Sequence, residues 1–280
     1  MEKFQAKFIV CLAAIVYLLI IWIAHLSPKE YHADIAIGVI IPFIIEAITE
    51  LLENAAIIKT YLLSNTIYRG QEVRFSVAYL FNIRLDNEYL LIYNPRRQHF
   101  QPVGGAYKKF PEANVRLEEL EARPDDWQTG SDDIRKDDLR LLLPMSNAIP
   151  FIRWFKTEKD RETSPSREFY EELIRPGILP QVCFLYLSYK KRRTFTTPIQ
   201  SRESNDKKYK QIQIFDIFDL IPSEEQKLAL TKLHADGHSN IYWATDELIS
   251  NGGYRFTPLP AILIMHIGEH TKWAISPARR

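Results

Sequence analysis

The feature that most constrains this chain lies near its start. Residues 8–24 read FIVCLAAIVYLLIIWIA, with no charged residue and no proline. His25 and Leu26 carry the run close to the ~20 residues that a helix needs to cross a ~30 Å hydrocarbon core. A second apolar stretch, residues 35–45 (IAIGVIIPFII), follows a short polar connection containing Ser27, Pro28, Lys29 and Glu30. No A-x-A-type cleavage site separates the two, so residues 1–58 are expected to form a two-span transmembrane hairpin, not a signal peptide. Lys3 and Lys7 precede the first span and Lys59 and Arg69 follow the second, whereas the connection holds only Lys29. The positive-inside bias then keeps both termini, and a large domain over residues 59–280, in the cytoplasm.

Glu46, Glu50 and Glu53 interrupt the second stretch at spacings of four and three, which puts them on one face of a helix. Two readings stay open. The membrane ends near Phe43 and these carboxylates are wet, or they form a polar stripe between protomers or along a water-filled path. Pro42 loosens the same helix by removing a backbone donor.

Beyond the hairpin the chain is ordinary globular material. The whole chain has 36 Lys+Arg against 35 Asp+Glu, with 25% charged and 46% hydrophobic residues. That excludes a disordered tail protein and gives no global reason to expect DNA binding. Cys11 and Cys183 cannot build a disulfide framework, and neither has metal-ligand spacing, as suits a reducing compartment without structural zinc.

The pattern predicts an α+β domain with a long insertion over about residues 111–147. Residues 71–80 (QEVRFSVAYL) and 88–93 (EYLLIY) have the β-branched and aromatic content of strands, with Asp86-Asn87 as the turn between them. Gly104-Gly105 sits inside a strand-like stretch and marks a bulge, a turn or a close backbone approach. The acidic clusters around Glu118, Asp125, Asp132 and Asp137-Asp138 read as solvated faces. Residues 148–155 (AIPFIRWF) and 182–189 read as strands, as do residues 212–220. Residues 166–174 read as a short helix capped by Ser164 or Ser166 and stopped at Pro176-Gly177. Residues 239–248 read as a strand leading into a helix.

That short helix carries the chemistry. In REFYEE, Glu168 lies one turn from Glu171 and Glu172, so three carboxylates converge on one patch. Clustered carboxylate oxygens suit Mg²⁺ or Mn²⁺, and Arg167 can hold such a cluster by a bidentate pair. A solvent-exposed Glu-rich helix has the same spacing, and both readings stand. The run Lys190-Lys191-Arg192-Arg193, with Tyr189 and Phe195 beside it, is either a solvated loop or a grip for an anionic ligand. His234 and His238, and His266 and His270, have i, i+4 spacing, but Gly268 argues against a helical metal site in the second pair.

REFYEE resembles the core of the Nudix box, G-x5-E-x7-R-E-U-x-E-E-x-G-U, in which U is aliphatic. Gly104-Gly105 in HFQPVGGAYKKF resembles the glycine pair that precedes it, and IYWATDEL resembles a downstream strand-to-helix junction common in Nudix proteins. The box is split, since Gly105 and Glu168 stand 63 positions apart (168 − 105). Its first Glu falls on Lys159, with Glu158 and Glu162 near enough to stand in, and its last Gly falls on Ile174. With two spans in front, the layout resembles the SMODS-associated Nudix family.

The resemblance implies a Nudix-like α/β/α sandwich and a membrane effector of CBASS antiphage defence in the bacterial inner membrane. A partner cGAS-like nucleotidyltransferase would make a cyclic oligonucleotide that binds the cytoplasmic domain at Gly104, Gly105, Arg167, Lys191, Arg192 and Arg193. Self-association of the hairpins in the lipid would then disrupt the membrane. A Mg²⁺-dependent nucleoside diphosphate hydrolase, with Glu168, Glu171 and Glu172 as metal ligands and catalytic groups, is the alternative.

Overall fold

The computed structural model describes residues 59–275 apart from 61, 65, 126–136, 205–206 and 257–259. The expected membrane hairpin, with Glu46, Glu50 and Glu53, lies outside the described residues. Among the described residues no helix is long and apolar enough to cross a membrane.

One long strand organises the domain. In β1 (Glu72–Asn82) the odd positions Val73, Phe75, Val77, Tyr79 and Phe81 are all buried. Successive side chains on a strand point to opposite faces, so Arg74, Ser76, Ala78 and Leu80 share the other face. The turn at Asp86, whose φ is 52°, is present, but it joins β3 (Glu88–Asn94) to the two-residue β2 (Arg84–Leu85) and not to β1, which belongs to a different sheet. Next come β4 (His99–Gln101) and β5 (Gly104–Ala106), the latter holding the glycine pair.

Residues 111–147 are more than a loop. They contain helix α1 (Ala113–Glu119), the short β6 (Arg123–Pro124) and β7 (Arg140–Pro144), whose Leu141, Leu142 and Leu143 are buried. After them β8 (Tyr189–Thr196), β9 (Gln200–Ser204) and the 14-residue β10 (Lys207–Leu220) complete the larger sheet. Its strand order is β6-β7-β1-β10-β8, with β5 also pairing β1 and β9 also pairing β10. The central β1–β10 pair is parallel and its other pairings are antiparallel. A second sheet runs β11-β3-β2, with β4 on β3, where β11 spans Ile241–Thr245. The architecture is therefore mixed α/β, with strands outweighing helices.

Two expected strands are not strands. Residues 148–155 form helix α2 (Ala148–Lys156). Its buried residues Ala148, Ile149, Phe151, Ile152, Trp154 and Phe155 recur every three or four positions, and short apolar runs leave that period ambiguous. Pro150 sits in the first turn, where a missing N–H costs no intrahelical bond. Phe151 packs on Phe75 with ring centroids 4.6 Å apart. Residues 182–189 hold a 3-10 turn over Gln181–Phe184, and Tyr186 is 87% exposed. A strand starts only at Tyr189, where Leu220 of β10 becomes available to pair with it.

The acidic clusters are not all solvated either. Asp125 meets Arg74 at 2.6 Å with both side chains buried, and Asp138 meets Lys108 at 2.6 Å.

Arg161, just after α2, ties the helix to the sheet. It is 2% exposed, its Nε and Nη2 donate to the Phe155 carbonyl, and its Nη1 donates to the Glu162 carbonyl. The guanidinium also covers the rings of Phe155 at 3.8 Å and Tyr107 at 4.8 Å. Truncation strands two buried carbonyls, so Arg161→Met should cost about 3 kcal/mol in urea unfolding. A loss below about 1 kcal/mol would mean that water satisfies those carbonyls instead.

Candidate functional site

The REFYEE segment is a helix in two parts. Helix α3 (Ser166–Phe169) is α-helical, and Tyr170–Ile174 continues it as a π-helical turn. Such turns are rare and recur at functional sites. Neither expected serine caps it: Pro165 is the N-cap and makes no side-chain capping bond, while Ser164 Oγ accepts the Ser166 N–H at 3.3 Å just ahead of the helix. Phe169 and Leu173 are fully buried and anchor the segment, with Phe169 packed against Phe81 and Phe184 at 5.5 Å each. That anchoring turns Glu168, Glu171 and Glu172 toward a cavity of about 520 Å³, which β1, β5 and β10 also line.

The glycine pair exists to let these carboxylates in. Gly104 has φ 153°, and a Cβ there would lie 2.1 Å from the Tyr79 carbonyl oxygen. Its N–H donates to Glu172 Oε2 at 3.0 Å. At Gly105 a Cβ would lie 2.0 Å from Glu168 Oε1, so any other residue would expel that carboxylate. The chain thus brings together residues 63 positions apart (168 − 105) through close backbone approach.

Arg167 is the clamp. Its Nε donates to Glu162 Oε1 at 3.1 Å and its Nη2 to Glu162 Oε2 at 3.2 Å. Nη1 reaches Glu168 Oε1 at 2.7 Å and Glu171 Oε2 at 3.3 Å, and Nη2 also donates to the Ala106 carbonyl at 2.9 Å. The guanidinium is therefore spent on holding the site together. Of the two glutamates expected to stand in for the first Glu of the box, Glu162 meets Arg167, whereas Glu158 lies near Arg161 and Lys191. The Lys108 N–H donates to Glu162 Oε2 at 3.2 Å and fixes it in place.

The electrostatics follow from too many carboxylates for one arginine. Burial is the main force raising Glu172, to about 8, with the Glu168 charge adding to it and the Gly104 N–H opposing it. Burial also raises Glu168, against the pull of Arg167. A divalent cation would relieve this excess, and the all-oxygen donor set of Glu168, Glu171 and Glu172 suits a hard ion such as Mg²⁺. Among the described residues, however, no three His, Cys, Asp or Glu side chains are gathered in metal-binding geometry.

The basic run is elsewhere. Lys191 pairs with buried Asp216 at 2.9 Å, Arg192 pairs with Asp219 at 2.8 Å, and Arg193 donates to the Trp273 carbonyl. The β8–β10 ladder slips between Ile217 and Phe218, which leaves Arg192 as the extra residue of a bulge. None of the three lines the carboxylate cavity. Residues that do line it, and that sequence reasoning missed, include Tyr93, Gln213, Phe215 and His270. The only signal for them was the small residues Ser76 and Ala78 on the open face of β1, which leave room above the sheet.

A sequence profile described as SMODS-associated NUDIX domain matches residues 72–275, from β1 through helix α4 (Thr271–Ile275). No curated protein matches the chain.

The Glu172 carboxyl gives a direct check. Its native pKa exceeds the ordinary 4.5, so the unfolded chain binds fewer protons and stability falls as pH rises from about 4.5 to about 8. Glu172→Gln removes that cost. Its gain over wild type in thermal unfolding should grow from near zero at the acid end to on the order of 3 kcal/mol at the alkaline end. A difference that does not change with pH would contradict a buried, uncompensated carboxyl.

Proposed function

The chain belongs to the SMODS-associated NUDIX family, and from that footing we propose that it is a membrane effector of CBASS antiphage defence. The Nudix-like domain senses a cyclic oligonucleotide made by a cGAS-like nucleotidyltransferase. The N-terminal hairpin, inserted in the inner membrane with both termini cytoplasmic, self-associates on activation and disrupts the bilayer. Glu46, Glu50 and Glu53 form the polar stripe between the associated hairpins.

The observation that carries the sensing role is the use of Arg167. Its donors are consumed by Glu162, Glu168, Glu171 and the Ala106 carbonyl, so the box builds a groove wall. A ligand in that groove shifts the protein only as far as it binds the active arrangement more tightly than the resting one.

Full-length protein in liposomes of inner-membrane lipid should release a trapped dye when the cognate cyclic oligonucleotide is added, and Glu46→Ala should reduce the release. No release with any cyclic di- or trinucleotide would end this reading.

One observation favours the second reading, a membrane-anchored hydrolase of nucleoside diphosphate derivatives. Burial and the neighbouring Glu168 charge raise the Glu172 carboxyl to about 8, a crowding of carboxylates that a bound divalent cation would relieve. Nudix proteins in general use a divalent metal such as Mg²⁺. Bound by Glu168, Glu171 and Glu172, that ion would neutralise charge on the diphosphate. Gly104 and Arg167 would hold the carboxylates in register. Mg²⁺-dependent release of a nucleoside monophosphate, lost in Glu171→Gln, would establish it. If Glu171→Gln keeps full growth arrest, catalysis is not the output.

A further inference from the structure

The carboxylate cavity is one lobe of a longer groove. A second cavity of about 590 Å³ shares Ser76, Arg97, Gln213 and His270 with it and continues along β1 to Arg74. The floor of both is the open face of the parallel β1–β10 pair, with Arg74 opposite Gln211, Ser76 opposite Gln213 and Ala78 opposite Phe215. From Arg74 to Leu80 that floor runs about 20 Å at the rise of a strand. A ligand held only at the carboxylates would leave half of it empty.

The two ends of the floor are occupied and the middle is not. Arg74 donates to Asp125 and to Gln211, so the far lobe has a saturated base. At the waist, neither the Ser76 hydroxyl nor the Gln213 amide makes a hydrogen bond among the described residues. Beside them the His270 ring lies parallel to Phe215, with centroids 6.0 Å apart and planes at 4°. Gly268 allows this packing, since a Cβ there would lie 2.8 Å from both the His270 and His99 rings. The waist thus offers one free amide, one free hydroxyl and a flat, apolar-backed ring.

We propose that Ser76, Gln213 and His270 form a nucleobase subsite at the waist of the groove and that the base it reads is adenine. An amide offers a donor and an acceptor side by side, which complements the N7 acceptor and N6 donor of adenine. Guanine presents two acceptors on that edge, which the single NH2 group of the Gln213 amide cannot meet side by side. The ring of His270 supplies the stacking surface, which by itself accepts any base. This inference rests on the sensing role proposed above and specifies which nucleotide that role requires.

Equilibrium binding of cyclic di-AMP, cyclic di-GMP and cyclic di-UMP to detergent-solubilised full-length protein tests it. Wild type should prefer cyclic di-AMP. Gln213→Met, close in volume, should reduce that preference about tenfold, the worth of one bidentate contact. Gln213→Glu, which keeps an acceptor and loses the donors, should reduce it at least as far, and circular dichroism would establish that both variants fold. Adenine preference unchanged in both variants, or a wild-type preference for guanine or uracil, overturns the subsite and leaves the sensing role standing. No binding of any of the three to wild type, together with no ligand-driven dye release, overturns the sensing role and this inference with it.

Discussion

One guanidinium holds the groove together. Arg167 gathers Glu162, Glu168, Glu171 and the Ala106 carbonyl, and so joins the turn after α2, the helix of the box and the strand of the glycine pair. Without it three carboxylates would be driven together in a half-buried cleft with no compensating charge, which is costly at any realistic interior dielectric. Even with it, burial, with the Glu168 charge adding to it, keeps Glu172 holding its proton up to about 8. The site is therefore electrostatically poised: rigid at Arg167, and responsive to cations and protons at Glu172.

The clamp works because the backbone yields at two points. Gly104 approaches the Tyr79 carbonyl and Gly105 gives its side-chain space to Glu168. β1 then serves two functions with one alternation. Its odd residues fill the core, and its even residues, small at Ser76 and Ala78, open the groove. Core and site are two sides of a single strand, so the packing that stabilises the domain also sets the floor on which a ligand would lie.

Much of this was legible beforehand. β1 and β3 follow from β-branched and aromatic content and the turn at Asp86 from its residue type, whereas the carboxylates of the short helix, though they line one cavity, are not gathered in metal-binding geometry among the described residues. The α2 segment misled because six apolar residues in nine satisfy either period, and only packing against Phe75 decides for a helix. The run Lys190–Arg193 misled for a different reason. Its charges looked unspent, but Asp216 and Asp219 face it from β10, more than twenty positions later, and consume Lys191 and Arg192. Asp125 and Asp138 were misread in the same way, as solvated charges whose partners Arg74 and Lys108 lie far off in the chain.

The amino-acid order by itself determined what depends on near neighbours: the apolar N-terminal run, the two faces of β1, the glycine pair, and three carboxylates on one helical face. Those properties follow from periods of two and 3.6 residues and from the bare backbone of glycine. Tertiary structure alone decided that Glu162 completes the clamp, that the basic run is neutralised, and that Gln213 and His270 meet Ser76 in an open waist. Each of those is a choice of partner across many residues, and spacing along a chain carries no record of which distant groups the fold will bring within hydrogen-bonding reach.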